Sequence, residues 1–105
     1  MPEPIVVEVE RELEDLVPLF MEQRRKDQVA FTQALARGDF ETLRMIGHGM
    51  AGAGRGYGFD AISDMGEAME QAAHASDTAK LNKLGRLLID YMERVTVTYV
   101  RSKTT

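Results

Sequence analysis

The 105-residue chain has no cysteine and no tryptophan, only three prolines and only two histidines. Without cysteine there are no disulfides, no thiol catalysis and no thiolate metal sites, which fits a reducing compartment. There is no basic surplus either. Thirteen Lys and Arg stand against 17 Asp and Glu, for a net charge of −4, whereas a general grip on nucleic acid draws on excess positive charge. No apolar run approaches the roughly 18 residues that a membrane span needs. Met1-Pro2-Glu3-Pro4 lacks the basic start of a secretory signal. These gaps predict a cytoplasmic protein with neither nucleic acid nor membrane as partner. The length predicts a single domain over 1–105 with one modest core.

What is present is helical periodicity. Residues 1–7 read as an extended lead-in, and 101–105 as a tail. From Glu8 the apolar residues Leu13, Leu16, Val17, Phe20 and Met21 recur at helical spacing. Pro18 suits the first turn of a helix, so the pattern predicts a short helix to about Val17 and a long one to Arg37. Gly38 fits a C′ position and Asp39 an N-cap. A helix from Phe40 to Gly54 follows, then a glycine-rich turn, then a helix from Asp60 to Ala75. Ser76-Asp77 caps a last helix bearing Leu81, Leu84, Leu88, Tyr91 and Val95. The expected fold class is all-α: an antiparallel up-down four-helix bundle with a short extra N-terminal helix. Val95-Thr96-Val97-Thr98-Tyr99-Val100 alternates with period two. It reads either as the end of the last helix, here extended through about Thr98, or as a segment lying beside Ile5-Val6-Val7. With no coiled-coil seam or long uncovered apolar stripe in view, a monomer is expected.

The chemistry concentrates around His48. At about 100° per residue, Leu43, Ile46, Met50, Ala53 and Tyr57 fall opposite His48, while Arg44, Gly52 and Arg55 share its direction. The helix therefore turns an imidazole to solvent with arginines nearby. Six of the twelve residues from Gly47 to Gly58 are glycine, although each one inside a helix costs about 1 kcal/mol relative to alanine. Close helix packing accounts for Gly47. It does not account for Gly52, where a small residue lets another protein approach the histidine.

Other readings fail on specific grounds. Gly47-His48-Gly49-Met50-Ala51-Gly52 matches G-x-G-x-x-G, but a helical pattern rather than a strand precedes it. A metal site has only His48 and His74 as nitrogen donors; Glu70 and His74 can share a face, but the several inward Glu-x-x-His pairs of a bundle site are missing. No metal is expected. Ser63, Ser76 and Ser102 lack the base and orienter of a hydrolytic triad. Arg24 or Arg25 borders the histidine if the two helices pack side by side. What remains is an exposed imidazole able to attack phosphorus near neutral pH, with Arg44 and Arg55 to stabilise the added charge. The chain carries no ATP-binding motif, so the partner supplies the phosphoryl group.

At these residues the sequence resembles the histidine-containing phosphotransfer (HPt) domain family, whose pattern is roughly His-x-Leu-Lys-Gly, then an apolar residue and glycine, then a Leu-Glu step. Here it reads His48-Gly49-Met50-Ala51-Gly52, Tyr57-Gly58-Phe59 and Met69-Glu70. The resemblance implies a phosphocarrier rather than an enzyme, working in a two-component phosphorelay. His48 is then the phosphoacceptor, and Gly52, Gly49 and Ala51 border the docking site. The partners are a response-regulator receiver domain and a sensor histidine kinase. No cofactor is expected on this chain, with Mg²⁺ held by the receiver. The family lysine is replaced by Ala51, and Arg55, one turn further on, is the expected substitute, ahead of Arg44. An alternative is an HPt-like adaptor that binds receivers without carrying phosphate.

Overall fold

The computed structural model describes residues 3–101. Met1, Pro2 and the tail from Ser102 onward lie outside them. Four helices carry most of the chain: α1 (Val17–Arg37), α2 (Phe40–Ala53), α3 (Asp60–His74) and α4 (Thr78–Arg94). They close into a ring, α1 against α2 and α4, and α3 against α2 and α4. Inside lie Phe31, Leu43, Met50, Phe59, Ile62, Met69, Leu81 and Leu88, all fully buried.

Local sequence sets the helix ends. Pro18 sits in the first turn of α1, where its missing N–H costs nothing. Gly38 ends that helix at φ 67°, the left-handed conformation that favours glycine. Asp39 then caps α2, accepting the Thr42 N–H at 3.1 Å and the Thr42 hydroxyl at 2.7 Å. These bonds hold the Asp39 carboxyl below its usual pKa. Asp77 caps α4 in the same way through the Lys80 N–H.

Two expectations are corrected at the ends of the chain. The protein is not all-α: β1 (Ile5–Glu10) and β2 (Val95–Val100) form a two-stranded parallel sheet. The last helix stops at Arg94 and Val95 is already extended, so the helical reading through Thr98 fails and the extended alternative holds. The reason is the β-branched alternation, which turns Val95, Val97 and Tyr99 to one face beside Ile5, Val7 and Val9. The helical reading from Glu8 fails for the same reason, because pairing with β2 claims Glu8, Val9 and Glu10. The short N-terminal helix expected to about Val17 is a 3-10 helix over Arg11–Leu16.

Helices α2 and α3 approach most closely. A Cβ built on Gly47 stands 2.7 Å from both the Glu70 nitrogen and the Gly66 oxygen, and one on Gly66 stands 2.6 Å from the Gly47 oxygen. Gly54 is as tight, at 2.6 Å from the Phe59 oxygen and 2.7 Å from Ser63. Each helical glycine sacrifices propensity, and in exchange two backbones touch where side chains would hold them apart.

Candidate functional site

Helix α2 buries Leu43 and Met50 and leaves His48 on the opposite side, its side chain 75% exposed. The imidazole has a side-chain partner. Its Nδ1 lies 3.1 Å from Glu70 Oε2 on α3. An ionised carboxylate only accepts hydrogen bonds, so Nδ1 carries the proton and donates. In the neutral ring Nε2 then keeps its lone pair. The close packing makes this contact possible, since Gly47 places the Glu70 backbone directly against α2.

The sequence sets Glu70 near His74 and in the Met69-Glu70 step of the family pattern, but neither placement points to its contact with His48. The signal was in Gly66 and Glu70. Residues four apart share a helix face, so a glycine that seats α3 on α2 brings the next-turn carboxylate to the same seam.

Both arginines are already paired. Arg44, one turn before His48, bonds Glu41 at 2.7 and 3.2 Å. That pairing raises its pKa, and the charge of Glu70 adds to the rise. The same bonds lower the Glu41 carboxyl. Arg55 lies past the end of α2, in a short 3-10 turn over Arg55–Tyr57. Its guanidinium holds Glu67 at 2.9 Å and Asp64 at 2.5 Å; the bond to Glu67 leads in raising its pKa. Among the described residues Arg55 makes no hydrogen bond to His48. Ser63 is fully buried and braces this turn, accepting the Arg55 N–H at 2.9 Å and donating to the Ala51 carbonyl at 3.0 Å. It is a structural bridge.

The far side of His48 is bare. Nothing stands within 4 Å of a Cβ built on Gly49 or Gly52, and Met45 beside them is 60% exposed. A shallow groove joins Met45, Ile46 and Gly49 to Gln23, Arg24 and Asp27 of α1. Arg24 thus borders this face. It is buried, lies over the Phe20 ring at 4.7 Å and pairs with Asp27 at 2.8 Å. Arg25 lines a different groove, along the outer side of α1. No group of three or more potential metal ligands is brought together among the described residues, and no helix is long and apolar enough to cross a membrane.

A family model, the Hpt domain, matches residues 15–96. That span takes in all four helices and His48, and it leaves β1 and the last four residues of β2 outside. Comparison with curated proteins and with solved structures finds no match.

Proposed function

From a chain that belongs to the Hpt domain family, and so to phosphotransfer in two-component signalling, we propose a phosphocarrier that works through His48. The observation that carries the reading is the His48–Glu70 contact, 3.1 Å long on an exposed ring. The Nε2 lone pair attacks the phosphorus of a receiver's aspartyl phosphate. The N–P bond forms, the acyl P–O bond breaks, and the receiver's aspartate leaves as a carboxylate. The ring gains positive charge, shared with Nδ1–H, which the Glu70 carboxylate faces. Transfer to a second receiver aspartate reverses these steps. Holding the ring in one tautomer and one orientation is what this protein contributes, and positioning dominates such transfers. The receiver brings Mg²⁺. The short connections between consecutive helices fit the antiparallel up-down order of the bundle.

Gly49, Gly52 and Ala51 border the docking surface, where the missing side chains let the receiver's backbone approach. Of the two cations, Arg44 ranks first in this reading. It stands one turn from His48 within the field of Glu70, whereas Arg55 is committed to two carboxylates. This reverses the order that spacing alone suggests.

The adaptor reading draws on a different observation. Four carboxylates, Glu41, Asp64, Glu67 and Glu70, pair with the cations and the imidazole around this seam, and Ala51 supplies no free cation. One experiment separates the two readings. The protein is incubated with a receiver carrying labelled aspartyl phosphate. A carrier takes up acid-labile label that is absent from His48→Gln; an adaptor binds the receiver and stays unlabelled.

A further inference from the structure

The parallel sheet is the part of the molecule that the family match does not explain. Two-stranded sheets are marginal in water, and parallel sheets are found with both faces covered. Here the backbones of β1 and β2 lie mainly beside each other and the Arg11–Leu16 segment, while their inward apolar side chains pack against the helical core. Of the six residues on the inward face only Val9 is fully buried; Ile5, Val7, Val95, Val97 and Tyr99 remain partly exposed. Beyond the ladder that joins them, the Val95 N–H bonds the Tyr91 carbonyl at the end of α4, and the rest of β2 has no other backbone partner among the described residues. The sheet therefore has two edges without a further strand, one on β1 and one on β2.

These edges differ in charge. The β1 strand carries Glu8 and Glu10, and the Arg55–Gly58 turn closes on it: a Cβ on Gly58 stands 3.1 Å from the Glu8 oxygen. The β2 strand, Val95-Thr96-Val97-Thr98-Tyr99-Val100, is uncharged and has no proline, bulge or lysine to blunt it. We propose that β2 is a dimerisation edge and that its occupant is the β2 strand of a second copy of this chain.

Charge selects this pairing. A β1–β1 pair sets glutamates against glutamates, which opposes association. A β1–β2 pair is head-to-tail and leaves an open edge at each end for further copies. A β2–β2 pair about a two-fold axis normal to the sheet closes on itself. It runs antiparallel and keeps the odd-numbered residues of both copies on one face. Val97 and Tyr99 then meet their counterparts on the apolar side, and the threonines meet on the other. Aromatic–β-branched and Thr–Thr contacts are favourable cross-strand pairs. The product is a four-stranded sheet with the acidic β1 strands outermost, where charge protects the edges. The proposal departs from the expectation of a monomer, which rested on the lack of a coiled-coil seam or long uncovered apolar stripe.

Sedimentation equilibrium over a concentration series tests the proposal without reference to phosphotransfer. The intact protein is expected at twice its 11.8 kDa chain mass. The double variant Thr96→Lys/Thr98→Lys, which sets lysines across the seam, is expected at the chain mass with unchanged helical circular dichroism. Glu8→Lys, on the other strand, is expected to stay dimeric. Because the chain has no cysteine, Thr98→Cys gives a second readout that needs no disruptive change: a short bismaleimide should link two copies. A monomer at every concentration up to about 1 mM overturns the proposal. So does a dimer that the lysine pair leaves intact, or a Thr98→Cys protein that fails to cross-link.

Discussion

Gly47 and Gly52 lie five residues apart on one helix and meet opposite surroundings. At Gly47 a single methyl group would strike the backbone of α3 at 2.7 Å. At Gly52 it would meet open space. The sequence shows one glycine-rich run, and the structure divides it into two jobs. Gly47 and Gly54, with Gly66 opposite, let α2 and α3 touch, and that contact brings Glu70 to His48. Gly49 and Gly52 keep the other side of the histidine low. The packing glycines act on the fold and reach the chemistry through Glu70. The open ones leave the fold alone, and in the proposed function they are the ones that face a partner.

The largest expected effect breaks this comparison on the packed side. Gly66→Ala puts a Cβ 2.6 Å from the Gly47 oxygen, a backbone atom that cannot rotate away. Overpacking of this kind costs about 1–3 kcal/mol, and a fall in Tm of roughly 5–20 °C is expected for a domain of this size. Gly49→Ala is the counterpart on the open side. It is expected to stabilise by about 0.4–1 kcal/mol, because alanine restricts the unfolded chain and fits the helix. Thermal melts of the two variants must move in opposite directions. A shared direction would break the division of labour.

Gly52→Gln tests the open side for function. Its side chain projects into the proposed docking space, so transfer from a phosphorylated receiver should slow by about tenfold, or 1.4 kcal/mol in the barrier. Tm should hold or rise. Equal transfer rates for the variant and the original protein would remove Gly52 from the docking surface.

A smaller gain is expected from Ala51→Lys. It adds a cation one turn from a histidine that faces the Glu70 carboxylate. An exposed pair of this kind is worth about 0.2–1 kcal/mol, so labelling of His48 should rise by up to about fivefold, and less at high salt. A lack of response at low salt would show that the paired arginines already meet the need.

Much of this site was legible because it obeys helical spacing. Leu43 and Met50 are buried and His48 is exposed, as the helical wheel requires. The caps at Asp39 and Asp77 and the break at Gly38 were also readable, since each depends on residues within one turn. Glu70 was not. Its contact spans 22 positions and depends on how closely two helices approach, a property set by glycines on both. Arg55 shows the same limit from the other side. It shares the direction of His48 on an ideal wheel, yet α2 ends at Ala53 and two carboxylates of α3 capture its side chain. The strands were obscured for another reason. Their alternation is local, but the choice of strand over helix is settled by a partner at the opposite end of the chain.

The smallest effect belongs to the start of α2, where one residue orders the helix that carries both kinds of glycine. The Asp39 carboxyl is held below its ordinary value of 3.8, chiefly by the Thr42 hydroxyl and then by the Thr42 N–H. A carboxyl lowered by folding contributes stability that is fully present above its unfolded pKa. The contribution is lost as pH falls through the folded one. The cap should therefore add nothing to the pH dependence above about pH 4 and should weaken the fold as acid is added below it. In the variant Asp39→Asn the side-chain amide oxygen still accepts the Thr42 N–H, but the group does not titrate. The Tm of this variant at neutral pH should lie within a few degrees of the original. Its decline in acid should be shallower, because one proton-binding step has been removed. Parallel acid limbs in the two proteins would mean that Thr42 does not hold the Asp39 charge and that α2 starts without help from it.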